Sequence, residues 1–380
     1  MRVGIVTEYY RPWPGGISEH VHHQAVELTE RGHDVTVFTG PSVPGWTDDG
    51  PFEVERLPWA HEFTHNGARS RMVLSGALLG FRKRFRHHAL DVVHVHAPMD
   101  PFLGWTALLA SESATVGTFH ANFDPSGLWD GLFRRLRMIT GRAFDRMHGR
   151  IAVSEAARES IAHYFPGEFE IIPNGVDTER FRPDVEPVLA RDEDRPTILF
   201  VGRADPRKGL PILIQAFERL RKSMPAARLI VVGVEKNEVA SELAGVAPET
   251  SASIEFAGYA DPGDMAGYYT SCDVFCSPAT GQESQGIVLL EAMAAGRPPV
   301  AFAIPGYRDV VQHGVDGWLI DPIGAEELAS GLATILGDRV ALSRMAETGR
   351  KTALGFSWPR VVERIEHHYA RALDEMGRSE

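Results

Sequence analysis

Cysteine is nearly absent from this chain: its 380 residues include two, Cys272 and Cys276, beside a strand-like apolar run. Two thiols make no disulfide framework, and no further cysteine supports a zinc site, so a reducing, cytoplasmic compartment fits best. Long hydrophobic runs are also missing. No segment approaches the roughly 20 apolar residues needed to span a bilayer. The opening residues read as a strand followed at once by Glu8, not as a secretion signal. Basic residues are in deficit, 39 Lys and Arg against 51 Asp and Glu, for a formal charge of −12. That balance argues against nucleic acid as a partner, though it leaves room for a local basic face. No solenoid-period repeat and no low-complexity tract occurs.

What remains is ordinary for a soluble α/β protein, with 43% apolar and 24% charged residues. The length exceeds what one core normally spans, so two domains are expected. Short, β-branched, non-alternating runs at 2–6, 34–38, 91–95, 115–119 and 150–153 read as parallel strands buried on both faces, with a helix over 17–31. A charged, proline-containing stretch after Pro173-Asn174-Gly175-Val176-Asp177, reaching Pro196, reads as an interdomain connection. A second series follows at 197–201, 228–232, 253–256, 274–277, 298–301 and 317–320, with helices over 210–223 and 286–295. The pattern predicts two Rossmann-like, doubly wound parallel sheets whose ligand rims lie at the strands' carboxyl ends and face a common cleft.

The densest polar chemistry is Glu283-Ser284-Gln285-Gly286-Ile287-Val288-Leu289-Leu290-Glu291, two carboxylates flanking a glycine and an apolar run. If Gly286 opens a helix, Glu283 lies in the loop before it and Glu291 well inside it. A helix N-terminus exposes unpaired N–H groups and partial positive charge, which suits a phosphate. The carboxylates suit sugar or ribose hydroxyls. The plainer reading of the same residues is a loop acid and a solvated helix face.

Pro12-Trp13-Pro14-Gly15-Gly16-Ile17 follows the first strand. It lacks the G-x-G-x-x-G spacing of dinucleotide sites, but paired glycines let a ligand approach the backbone. Gly202-Arg203-Ala204-Asp205-Pro206-Arg207-Lys208-Gly209 follows the first strand of the second series. Arg203, a bidentate fork, and Lys208, a point charge, could neutralise a diphosphate there, with Arg207 facing solvent. His120 ends the strand over 115–119 and precedes Ala121, Asn122 and Phe123 in a loop. His94 and His96, two apart on a strand, and His20, His22 and His23 read as structural, with metal ligation poorly supported. Asp192-Glu193-Asp194 matches the D-x-D of metal-dependent sugar transferases, but it sits in the charged connection and reads as solvated. No metal site is expected.

Between Glu62 and Asp91 no acid occurs, whereas Arg69, Arg71, Arg82, Lys83, Arg84 and Arg86 interleave with Met72, Val73, Leu74, Leu78, Leu79, Phe81 and Phe85. This predicts an amphipathic basic surface helix or loop that contacts an anionic membrane. Arg134, Arg135, Arg137, Arg142, Arg146 and Arg150 form a second basic run.

Together these motifs resemble the retaining glycosyltransferases of the GT-B fold, glycosyltransferase family 4. The carrying residues are Gly15-Gly16, Thr118-Phe119-His120, Ile151-Ala152-Val153-Ser154, Pro173-Asn174-Gly175-Val176-Asp177, Gly202-Arg203 with Lys208-Gly209, and Glu283 with Glu291. The likeness covers residues 1–369. Within the family the chain is most similar to bacterial phosphatidylinositol α-mannosyltransferases, on Tyr9, Pro14-Gly15-Gly16, Gly117 to His120 and Glu283-Ser284-Gln285-Gly286-Ile287-Val288. The family commonly has Phe where this chain has Gln285.

The resemblance implies an acceptor-side domain of residues 1–180, a nucleotide-sugar-binding domain of residues 190–357, and a C-terminal helix, 358–380, crossing back onto the first. It implies that Arg203, Lys208, Gly15 and Gly16 hold the donor diphosphate. Glu283 and the backbone over Ser284, Gln285, Gly286, Ile287 and Val288 would hold the sugar, Glu291 the ribose, and the loop at Tyr259 the base. His120 would act near the anomeric centre, with Tyr9 and Asn122 on the acceptor side. The implied reaction moves a hexose, mannose from GDP-mannose, with retention and without metal or cofactor. Its acceptor is a phosphatidylinositol-type lipid, reached peripherally at the inner face of the plasma membrane. A soluble acceptor such as a thiol precursor, inositol phosphate or sugar, served by a UDP-sugar, stays open. So do a UDP-sugar epimerase and a non-catalytic nucleotide-sugar binder.

Overall fold

A computed structural model describes residues 1–13, 15–65, 68–73, 78–99, 102–121 and 141–379. The chain divides into two compact units, Met1–Gly175 with Trp358–Glu380, and Val176–Ser357. The strands run β1 (Arg2–Val6), β2 (Asp34–Thr39), β3 (Glu53–Arg56), β4 (Ala60–His65), β5 (Ala68–Val73), β6 (Val92–His96), β7 (Ala114–Phe119), β8 (Gly149–Ala152) and β9 (Glu170–Ile171) in the first unit. The second holds β10 (Thr197–Val201), β11 (Arg228–Val232), β12 (Ile254–Gly258), β13 (Val274–Ser277), β14 (Pro299–Phe302) and β15 (Trp318–Ile320).

In the first unit a seven-stranded sheet has the order β3-β2-β1-β6-β7-β8-β9, with every pairing parallel. The order reverses at β1 and β6, which makes the sheet doubly wound. Val3, Ile5, Val37, Val92 and Val116 are fully buried, as expected of strands covered on both faces. Each such side chain contributes roughly 1.5–3 kcal/mol on leaving water. The C-terminal helix, Trp358–Ser379, belongs to this unit. Its Trp358, Val361, Val362, Ile365, Tyr369 and Ala372 recur at helical spacing and join the core beside Val21 and Leu28 of α1 (Gly16–Glu30).

The second sheet has six strands in the order β12-β11-β10-β13-β14-β15, again all parallel. Residues 176–196, expected as a connection, are clamped onto this unit. Phe181 enters its core, Val188 N donates to Gly267 O, and Leu189 N donates to Ser271 Oγ. The connection is therefore short, because this stretch spends its apolar and backbone groups locally.

The basic segment meets its expectation in part. Arg82, Lys83, Arg84 and Arg86 lie on a helix, α2 (Leu78–His88), but the stretch before it forms the antiparallel hairpin β4–β5. Val73, Phe81 and Phe85 are buried in the first unit's core, so these three apolar side chains serve the protein rather than a bilayer. Arg71 is buried too, with its guanidinium over the Trp13 ring and its Nη2 donating to Pro41 O. The edge strand β3 and the hairpin lack the uninterrupted apolar run of the buried strands; charged residues recur along both.

Candidate active site

The second unit assembles its polar cluster from two loops at the carboxyl ends of β10 and β13. After β10, Asp205 accepts a hydrogen bond from Arg207 N at 3.0 Å and caps the short turn Pro206–Lys208. Gly209 ends the turn with φ +73°, where a Cβ would stand 1.8 Å from Pro278 O. Only glycine lets the backbone lie this close in that conformation. The contact presses the turn onto the loop that follows β13, and Thr280 N donates to Arg207 O at 2.9 Å. Arg207 Nη1 donates to Gln282 Oε1 at 2.9 Å, while its Nη2 meets Asp205 at 2.6 Å. Arg207, expected to face solvent, is therefore half-buried and holds the two loops together.

One residue further along each loop the functional candidates meet: Lys208 Nζ donates to Glu283 Oε1 at 2.6 Å. Both side chains keep part of their surface in solvent, 27% and 17% respectively. Gln282, just before, holds φ +58°, a conformation non-glycine residues rarely adopt without reason. Gly286, at φ +81°, is the N-cap of the helix Ile287–Ala294. A Cβ there would lie 2.5 Å from the Tyr307 ring, which is itself fixed by its hydroxyl 2.7 Å from Ser277 Oγ. The helix N-terminus and its orphan N–H groups thus begin three residues after Glu283. Gln285 is buried and Ser284, Ile287 and Val288 are half-buried, whereas Arg203 and Tyr259 are exposed. Glu291 accepts from the Tyr269 hydroxyl at 2.7 Å.

The first unit gathers histidines that sequence spacing had left apart. β6 and β7 pair with His94 opposite Val116 and His96 opposite Thr118, so alternate residues of β6 and His120 just beyond β7 share one face. His94 stacks on His96 with centroids 4.4 Å apart, and His96 on His120 at 5.1 Å. His96 Nδ1 and His120 Nε2 are 2.9 Å apart. His20 of α1 meets both rings edge-on and reaches Asn174 Oδ1 at 2.9 Å. Tyr369 and Thr118 hydroxyls bracket His94, each at 2.7 Å. Burial pulls His120 well below the usual imidazole range, reinforced by His20 and His94 and opposed by Asn174. His20 falls to about 4, chiefly through burial. His94 and His96, taken as isolated core residues, are therefore the layer on which His120 rests. Among the described residues no group of three or more His, Cys, Asp or Glu could hold a metal.

Glu8 is a buried carboxylate absent from the expected site; it accepts Val73 N at 3.0 Å and Leu103 N at 3.4 Å, tying β5 to the helix Leu103–Ala110. Tyr9 N bonds Thr7 Oγ1. Gly15, ahead of α1, has an extended backbone, φ 162°, and a Cβ placed there would meet no heavy atom within 4 Å. Neither strain nor crowding inside the protein demands glycine there. Pro14, Asn122, Leu74, Arg134, Arg135 and Arg137 lie outside the described residues. In α2, Arg84 pairs with Glu55 and Arg86 with Glu112 at 2.8 Å, while Lys83 is exposed. Arg82 is half-buried, and its Nε is without a partner. Among the described residues, no helix is long and apolar enough to cross a membrane.

Residues 14–180 match the model of Glycosyltransferase Family 4, and residues 181–352 that of Glycosyl transferases group 1. A phosphatidyl-myo-inositol mannosyltransferase of Mycobacterium tuberculosis is 33% identical over 97% of this chain and 96% of its own. A D-inositol 3-phosphate glycosyltransferase of Geodermatophilus obscurus is 30% identical over 95% and 86%. Sucrose-phosphate synthase from Thermosynechococcus elongatus has the same fold, with TM-score 0.75 over 97% and 98% of the two chains at 20% identity. The two doubly wound sheets and these likenesses define a glycosyltransferase of the GT-B fold. The chain belongs to glycosyltransferase family 4.

Proposed function

We propose that this enzyme transfers mannose from GDP-mannose, with retention of α configuration, to a phosphatidylinositol-type lipid. The observation that carries the reading is the contact of Lys208 with Glu283 beside the N-terminus of Ile287–Ala294. A cation, a carboxylate and a row of orphan N–H groups there match the diphosphate and hydroxyls of a nucleotide sugar. Mannose and the lipid are supported by the named activity of the mycobacterial relative.

In this reading Arg203 and Lys208 neutralise the diphosphate. Glu283 and the backbone from Ser284 to Val288 hold the sugar, Glu291 the ribose, and Tyr259 lies near the base. Tyr9, His120 and Asn122 serve the acceptor. Gly15 and Gly16 keep the start of α1 open to a phosphate. The transition state is oxocarbenium-like and loads charge onto the departing phosphate oxygen. The two cations and the helix dipole stabilise that charge, which makes a metal unnecessary. The acceptor hydroxyl attacks on the face the phosphate leaves, and the phosphate takes its proton.

A second reading has a specific observation behind it. Phe81 and Phe85 of α2 are buried in the core, and two of the basic residues expected at an anionic membrane, Arg84 and Arg86, already have acid partners. A soluble inositol phosphate acceptor, supported by the Geodermatophilus relative, needs no membrane contact. One assay separates the two: GDP-mannose and UDP-sugars offered with phosphatidylinositol vesicles or with free inositol phosphate. Mannosyl lipid formed from GDP-mannose is expected. Turnover only with the free phosphate would reject the lipid reading, and turnover only with UDP-sugars would reject the donor.

A further inference from the structure

We propose that Tyr269 is a positioning residue for the donor: its phenol holds the Glu291 carboxylate in the orientation that reads the vicinal hydroxyls of a ribonucleotide. The inference rests on the reading of Glu291 as the ribose-binding acid.

Tyr269 lies on the short helix Met265–Thr270 and is fully buried. Its ring is trapped between the edges of Phe181, 5.6 Å away at 84°, and Phe275, 5.4 Å away at 61°. Such packing leaves the phenol one direction in which to donate, and it donates to Glu291 Oε2 at 2.7 Å. Burial and the adjacent carboxylate raise the phenol well above its ordinary range, so it stays protonated and remains a donor. The bond joins a buried, immobile group to a carboxylate that is itself half-buried.

A glutamate midway along a helix has several rotatable bonds, and ordering them at the moment of ligand binding weakens the complex. A fixed donor on one oxygen removes much of that disorder beforehand. A carboxylate has about four acceptor positions, of which the phenol takes one. The 2′- and 3′-hydroxyls of a ribose are adjacent donors, so they require the carboxylate plane to be set as well as its position. The chemical class selected is a ribonucleoside diphosphate, in preference to its 2′- or 3′-deoxy counterpart. A purely structural role, in which the phenol only ties the helix Met265–Thr270 to Ile287–Ala294, carries no such selectivity.

The test is calorimetric binding of GDP and UDP, each with its 2′-deoxy and 3′-deoxy forms, to the full chain, Tyr269→Phe and Glu291→Gln. The better-bound base is used for the comparison. Tyr269→Phe removes one oxygen and orphans no buried donor, so the fold is retained. Its ribonucleotide affinity should fall about tenfold, the scale of one hydrogen bond to a charged group, while the deoxy forms change less than about twofold. The preference for ribose thus collapses towards that of Glu291→Gln. Phe181→Leu, which loosens the ring and keeps the hydroxyl, should lower the same ratio by less. Equal weakening of ribo and deoxy forms, or an unchanged preference in Tyr269→Phe, would overturn the positioning role. A wild-type preference in Glu291→Gln, or binding of neither nucleotide, would instead overturn the ribose reading beneath it.

Discussion

Lys208 and Glu283 stand 75 positions apart in the chain, and their contact is set by a single backbone approach. Gly209 brings the turn after β10 against Pro278 O, and Lys208 is the residue just before it. Replacing Gly209 by alanine adds a left-handed strain of about 1–2 kcal/mol to a backbone collision that no rotamer change relieves. Gly209→Ala is expected to lose about 2–4 kcal/mol of stability, read as a lower urea midpoint, and to lose activity beyond what the lost stability explains. Wild-type midpoint and turnover in this variant would show that the close approach does not position Lys208. The motif glycines were visible in the sequence, but not this reason for one of them. A clash with an oxygen 69 positions away leaves no local signature.

At the scale of elements, the strands were legible because parallel strands buried on both faces must be short, apolar and β-branched. β3, Glu-Val-Glu-Arg, and the hairpin β4–β5 were not, because an edge strand and a two-stranded ribbon break up their apolar residues with charged ones. The histidine layer was hidden for another reason. His20, His94, His96 and His120 come from α1, β6 and the end of β7; the β6–β7 register sets the last three side by side, and α1 packs His20 edge-on against them. This layer has a consequence for acid stability. His20 titrates near 4 in the fold against 6.5 as an ordinary imidazole. The unfolded chain therefore binds more protons between those values, and stability rises with pH across the window. It is fully present above about 6.5 and is lost as pH falls towards 4, by about 2 kcal/mol at pH 5 for this one group. Thermal unfolding at pH 7 and pH 5 should show a drop of about 4–8 °C from this group. His20→Gln should shrink that drop, whatever its own stability. An identical drop in the variant would remove His20 from the account.

At the scale of the whole molecule, each half of the chain forms its own doubly wound sheet with its own core, and the C-terminal helix joins the first unit through Trp358 and Tyr369. The second unit carries the cation–carboxylate pair on loops that rise from adjacent strands, β10 and β13. That location follows from the topology, since β10 and β13 are where the strand order reverses. The net charge of −12 repels an anionic nucleotide at long range, so local cations must overcome it. Calorimetric titration of GDP and GDP-mannose into the wild type, Lys208→Met and Glu283→Gln tests this most directly. Lys208→Met should weaken both ligands by about 30-fold or more, the scale of a lost charge-assisted contact. Glu283→Gln should weaken GDP-mannose alone, because GDP has no sugar for that carboxylate to hold. Wild-type affinity for GDP in Lys208→Met would contradict the account.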